Sequence, residues 1–348
     1  MQALDQILNH ARSLNYSDVH LGGGTTIMMR ENGVLFPYEH SYSSQDIVRM
    51  ILSMLDEKQQ NALHEGKDVD MVYVENNHRY RVNVFRERGE LCAALRVIYD
   101  KIRTMDELAM PTAIRQLTED KRGLVLITGP TGSGKSTTLA ALIDAINENR
   151  KCHILTIEDP IEYVYQQKQS LIHQREIGMD VNSFDTALKS ALREDPDVIL
   201  VGEMRDYETI QAVLTLAETG HLVFSTLHTI GAAKTIDRIV DVFPPHKQEQ
   251  IRTQLSGVLN AVVTQQLVPT ADGKGRVAAF EIMINTPAIA NLIRENKGHQ
   301  INSVIQTNTQ HGMISLNMNL ASLVRQGKIT RAMAEEFSNS LLELNQLL

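Results

Sequence analysis

The chain has 348 residues and a formal net charge of −8, from 34 basic and 42 acidic side chains. Hydrophobic residues make up 43% and charged residues 22%, the balance of an ordinary globular protein. This excludes a disordered chain, a collagen-like fibre and a disulfide scaffold, and disfavours a wholly basic nucleic-acid binder.

Leu4, Ile7, Leu8, Ala11 and Leu14 recur at helical spacing and predict a helix over 1–15. Strands are predicted at 25–30, 69–74, 79–85 and 92–98, with a hairpin turn at Glu75-Asn76-Asn77-His78. A helix is expected from Ser44 to about Glu65. Residues 1–98 therefore read as an α+β domain. The charged stretch 99–112, ending near Pro111, reads as a connector.

Beyond it, near-continuous apolar strands at 124–128, 153–157, 198–201 and 222–226 alternate with amphipathic helices. Leu139, Leu142, Ile143 and Ile146 stripe one helix, and Phe184, Ala187, Leu188, Ala191 and Leu192 another. That alternation predicts a parallel sheet covered on both faces, with ligands at the carboxyl ends of its strands. The last hundred residues are expected to be helical. Thr286 and Pro287 open one helix carrying Ile289, Leu292 and Ile293; Gly327 ends another; Met333, Phe337 and Leu341 mark a final one. The second domain then covers 113–348.

The two cysteines, Cys92 and Cys152, cannot form a four-cysteine zinc site and read as free thiols of a reducing cytoplasm. Asp5, Gln6, Asn9 and His10 interrupt any signal-peptide core. No apolar run approaches the roughly 18 residues of a membrane span. A soluble cytoplasmic protein is expected, its membrane role, if any, supplied by a partner.

After the strand at 124–128 comes GPTGSGKST, residues 129–137, which fits G-x-x-x-x-G-K-[ST]. Gly129, Gly132 and Gly134, with Pro130, Thr131 and Ser133 between them, let backbone amides wrap phosphates at a helix N-terminus. Lys135 reaches for the β- and γ-phosphates of ATP, Ser136 for Mg²⁺, and Thr137 completes the cradle. Glu158 and Asp159, then Glu162, follow the second strand; they are candidates for polarising water or holding hydrated Mg²⁺, although Asp159 could simply cap the turn before Pro160. After the third strand Gly202 stands where a metal-binding Asp is usual, so Glu203 is the candidate catalytic base. His228 follows the fourth strand, at the ligand edge, and suits a γ-phosphate contact. His221 precedes that strand and falls at the opposite edge unless the sheet bends. Arg79, Arg81, Arg86, Arg88 and Arg96 read either as a solvated edge or as cations delivered to a γ-phosphate across a domain or subunit boundary.

With GPTGSGKST, ILTIEDPIEY, ALREDPDVILVGEMRD and AETGHLVFSTLHT in order, the chain resembles the motor ATPases of type II secretion and type IV pili. Its likeness to the pilus retraction branch covers essentially the whole chain, including SDVHL at 17–21 and Met110-Pro111. Its length points the same way, because assembly and secretion motors usually carry an extra N-terminal domain and a zinc module. The resemblance implies an α/β fold: a RecA-like P-loop ATPase core with a smaller α+β, PAS-like N-terminal domain. It implies a homohexamer at the cytoplasmic face, bound to an inner-membrane pilus platform protein, with ATP and Mg²⁺ between the domains. Arg81 and Arg96 match the family's γ-phosphate arginines. Glu158 and Glu162 match its acidic box, Glu203 its Walker B box, and His221 and His228 its histidine box. The family's AIRNLIRE reads AIANLIRE here, with Ala290 replacing an arginine. Alternatives are an assembly or secretion ATPase of the same family, and a hexameric DNA translocase or helicase. The net charge and sparse aromatics speak against nucleic acid.

Overall fold

The computed structural model describes residues 2–14, 16–31, 33–76, 78–98 and 101–348. The chain divides into two units, Met1–Lys101 and Ile102–Leu348. In the first, the antiparallel strands β1 (Asp18–Gly22), β2 (Met28–Glu31), β3 (Val34–Pro37), β4 (Val69–Glu75), β5 (His78–Glu87) and β6 (Glu90–Val97) form a sheet ordered β3-β2-β1-β6-β5-β4. Leu4, Ile7, Leu8 and Ala11 of the helix Gln2–Ser13 bury against it with Ile47 and Ile51. The helix expected over 44–65 is two, Ser44–Ser53 and Glu57–His64. Asp56 breaks it: its carboxylate accepts from the Gln59 amide while the Gln59 side chain accepts from the Asp56 amide, a capping box that restarts the helix. The turn expected at Glu75–His78 includes residue 77, outside the described residues; Glu75 and His78 themselves pair in register.

The second unit is built on a seven-stranded sheet. Its strands are β7 (Gly123–Thr128), β8 (His153–Glu158), β9 (Leu171–Glu176), β10 (Val198–Val201), β11 (Leu222–Leu227), β12 (Leu259–Pro269) and β13 (Arg276–Ile284), ordered β13-β12-β7-β11-β10-β8-β9. All neighbours are parallel except β12 and β13. Side chains of a strand alternate between faces, so a sheet buried on both sides needs an uninterrupted apolar run. Leu124 and Leu126 enter one core, with the helices Phe184–Ala191, Tyr207–Glu218 and Ala232–Asp241. Val125 and Ile127 enter the other, with the helix Lys135–Asn149.

The expectation of an all-helical final hundred residues fails at β12 and β13. Polar Thr264, Gln265, Gln266 and Glu281 interrupt their apolar pattern; three of these are buried, and two of the three, Thr264 and Gln265, stand at the site described below. The final helix is also two, Arg331–Phe337 and Leu341–Leu347, separated where Ser340 caps the second. Thr286 does cap the helix Pro287–Arg294, its hydroxyl accepting from the Ile289 amide. Ile289 and Ile293 on that helix are core, whereas Leu292 is half-buried and Ala290 is 9% exposed. Most of the stretch read as a connector belongs to the second unit, where Ile102, Met105 and Leu108 pack beside buried Met110 and Ile114. Among the described residues no helix is long and apolar enough to cross a membrane.

Candidate active site

The buried strand β7 runs without a break into Gly129–Gly134, and the helix Lys135–Asn149 begins at once. Two glycines are dictated by what lies beside them. Gly129 has φ 139°, and a Cβ there would overlap the carbonyl oxygen of Gln265 on β12. Gly134 has φ 88°, and its Cβ would stand 2.8 Å from the Gln265 Nε2. The Lys135 ammonium, 8% exposed, donates to the carbonyls of Gly129 at 2.8 Å and Pro130 at 3.1 Å. It is thus held over the loop by the loop itself. Burial pushes its pKa down, opposed by the nearby carboxylates of Glu162 and Glu203. Among the described residues the buried Ser133 hydroxyl has no hydrogen-bond partner, and Gly132 and Thr131 are exposed at the loop tip. Thr137 bonds the Tyr163 hydroxyl at 2.9 Å. Ser136 is half-buried in the first turn, and among the described residues its hydroxyl bonds no protein atom.

Because β8, β10 and β11 are parallel neighbours, the residues after them share one edge with the loop. Glu203 is nearly buried there: its Oε1 lies 2.7 Å from the Arg205 Nε and its Oε2 3.6 Å from the His228 Nε2. The other nitrogen of His228 is 3.4 Å from the Thr131 hydroxyl. A chain of polar atoms therefore leads from the loop tip to Glu203. Glu158, 8% exposed, accepts from the Thr156 hydroxyl at 2.7 Å. Glu162 and Asp159 are exposed at the same edge. His221 is not part of this group. It precedes β11, at the amino-terminal edge, and its Nδ1 is tied to the Leu216 carbonyl at 3.0 Å. The six residues of β11 separate the two edges, about 20 Å.

Arg81 and Arg96 belong to the first unit and stand directly opposite each other on β5 and β6. Both are exposed, and Arg96 Nε is 2.9 Å from Asp18 of β1. Like charges placed face to face across a sheet are unfavourable unless an anion joins them.

Sequence reasoning missed the wall behind the cradle. The Gln265 Oε1 accepts from the Thr138 hydroxyl at 2.7 Å, both side chains being buried, and Thr128 and Thr264 hydroxyls meet at 2.8 Å. Polar residues inside the otherwise apolar run 259–269 were the available signal. Gln265→Ala should leave the Thr138 hydroxyl unpaired and open space behind Gly129 and Gly134. A loss of about 1–3 kcal/mol in stability is expected, with weaker nucleotide binding, readable by thermal melts and fluorescent-nucleotide titration. Unchanged affinity and stability would remove Gln265 from the wall.

Glu158 carries a pH signature. Burial pushes its carboxyl from 4.5 up to about 7, against the lowering effect of the Thr156 hydroxyl and the Glu162 amide. A raised carboxyl pKa means that the folded state holds the proton longer than the unfolded chain. Glu158 therefore costs nothing below about pH 4.5 and increasingly destabilises the fold as pH rises to about 7, by on the order of 3 kcal/mol. Glu158→Gln should be more stable than the parent at pH 8 and equal to it near pH 4.5, as urea unfolding at the two pH values would report.

A glycine cradle between a buried strand and a helix N-terminus, with carboxylates closing the neighbouring parallel strands, defines a P-loop nucleotide hydrolase with a RecA-like core. The chain belongs to the Type II/IV secretion system protein family, whose model matches residues 1–339. It is 48% identical over 339 residues to the type IV pilus retraction ATPase PilT of Pseudomonas aeruginosa, covering 96% of this chain and 97% of that one. It is 54% identical over 288 residues to a twitching motility protein of Neisseria gonorrhoeae, covering 82% and 77%. The crystal structure of the pilus retraction motor PilT with bound ADP superposes with a TM-score of 0.91 at 45% identity, covering 98% of each chain. The fold class read from the sequence is the one found.

Proposed function

We propose that this protein is a motor ATPase that couples ATP hydrolysis to retraction of type IV pili. The observation that carries the hydrolytic part is the Glu203 carboxylate, held between Arg205 and His228 on the strand edge that also bears the Lys135 cradle. The pilus part is supported by the retraction motor and the twitching motility protein, each similar over most of its length. In this reading the amides of 129–135 and the Lys135 ammonium bind the β- and γ-phosphates, releasing Lys135 from the loop carbonyls. Glu203 takes the proton of the attacking water. Glu158 and Glu162 order that water, and His228 reads the γ-phosphate through the Thr131 end of its chain. Arg81 and Arg96 supply positive charge to the γ-phosphate in an assembled homohexamer. Asp159 stays at the rim, and His221, before β11 and bonded to the Leu216 carbonyl, takes no part in phosphate binding within the protomer in this reading.

The site suits Mg²⁺ brought in on the nucleotide. Among the described residues the Ser136 hydroxyl is unpartnered, and no group of three His, Cys, Asp or Glu could cage an ion alone. Ser136 would hold the ion, which neutralises phosphate charge. The protein would work in the cytoplasm, pulling on a platform protein of the inner membrane.

Phosphate release by the purified chain, together with twitching restored to a cell lacking its retraction motor, tests both halves. Lys135→Ala should lose tight nucleotide binding and fail in both assays. Polynucleotide should leave turnover unchanged; strong stimulation that falls steeply with salt would favour a translocase instead.

A further inference from the structure

The strands β8 and β9 bring together two histidines that the reading above does not use. His153 opens β8, His173 lies on β9, and the parallel register turns both to one face. The His153 Nε2 is 3.0 Å from the His173 Nδ1, and the rings are nearly perpendicular at 85° with centroids 5.0 Å apart. The remaining His153 nitrogen, Nδ1, is 3.0 Å from the carbonyl oxygen of Asp195. A carbonyl only accepts, so Nδ1 carries the proton and Nε2 presents a bare lone pair toward His173. The His153 backbone is fixed as well, its amide donating to the Asp197 carboxylate at 2.8 Å.

We propose that His153 and His173 form a two-imidazole site for a late divalent transition ion, zinc above all. Zinc–imidazole bonds are about 2.0–2.1 Å, so two neighbouring nitrogens on one ion stand roughly 2.9 Å apart at a right angle and roughly 3.4 Å apart at the tetrahedral angle. The observed 3.0 Å lies inside that range and about 0.4 Å short of the tetrahedral spacing, a gap that turning the His173 side chain closes without moving either strand. The carbonyl behind His153 is the outer partner that metal-bound imidazoles use to fix tautomer and direction. Without an ion the His173 Nδ1 proton is donated to His153. With one, that proton passes to Nε2, and the exposed His173 ring turns its lone pair onto the metal. The nearest cation on the same face of β9, Arg175, is matched by Glu194 at 2.6 Å and does not oppose the ion. Water completes the coordination. Imidazole ligands select zinc, nickel or copper over magnesium, so this site is chemically separate from the nucleotide's.

Zinc chloride titrated into the full chain in excess Mg²⁺, followed by calorimetry and thermal melting, tests the site. One saturable site and an upward melting shift of about a few degrees are expected. His173→Ala should weaken the zinc affinity by at least roughly 10–100-fold, and because His173 is exposed the variant should fold. His153→Ala should do the same, whereas His299→Ala, exposed elsewhere, should bind zinc as the parent does. Parent-like affinity in His173→Ala, or no saturable zinc binding by the parent, would overturn the proposal.

Discussion

Glu203→Gln is expected to bind ATP as tightly as the parent and to hydrolyse it at least about a hundredfold more slowly, the usual loss for a positioned general base. The substitution keeps the size of the side chain and its place after Gly202. It removes the negative charge that pairs with Arg205 at 2.7 Å and faces His228 at 3.6 Å. It also takes away one of the two carboxylates that favour a charged Lys135. Lys135 is still protonated when triphosphate arrives, because phosphate charge replaces what the carboxylate supplied, so binding survives. Parallel measurement of fluorescent-nucleotide affinity and phosphate release separates the two effects. Turnover equal to the parent's would take the base role from Glu203 and leave Glu158, whose raised pKa already suits proton exchange near neutrality, as the residue to examine.

A larger loss is expected from Arg81→Ala combined with Arg96→Ala, about 10³–10⁵ in turnover, the range for a cation delivered to the phosphoryl group in the transition state. The two residues stand opposite each other in register on β5 and β6, and of the two only Arg96 has a carboxylate partner, Asp18, among the described residues. Removing both takes away a like-charge pair from opposite register positions, so the isolated fold should be as stable as the parent or slightly more so. Turnover should therefore collapse while the melting temperature holds. Rate per chain in the parent should also rise with protein concentration, as it must if the ring is the active form. A fully active monomer in light scattering, or unchanged turnover in the double variant, would defeat this reading.

The cradle, the strand-end carboxylates and the four central strands were legible in the sequence because each is a local pattern. A strand buried on both faces is an unbroken apolar run, and glycines beside a Lys have few other uses. What escaped was non-local. β9 is an edge strand, and LIHQRE reads as polar because only part of one face is covered. β12 and β13 were hidden by Gln265 and Glu281, whose polarity serves partners far along the chain: Thr138 and the Ala232 amide. The split at Asp56 was missed because a capping box inside a polar stretch looks like ordinary helix surface.

The position of β12 also bears on how the molecule comes into being. β7 lies between β11 and β12, and Gln265 forms the back of the phosphate cradle. On the ribosome, the glycine loop emerges long before its own wall has been made. At roughly 5–20 residues per second the nascent loop waits on the order of ten seconds for β12. Until then a strand meant to be covered on both sides has an open edge, and the loop has nothing behind it to hold its shape against a triphosphate. Nucleotide can stabilise the nearly finished chain, but it cannot guide the first half of its synthesis.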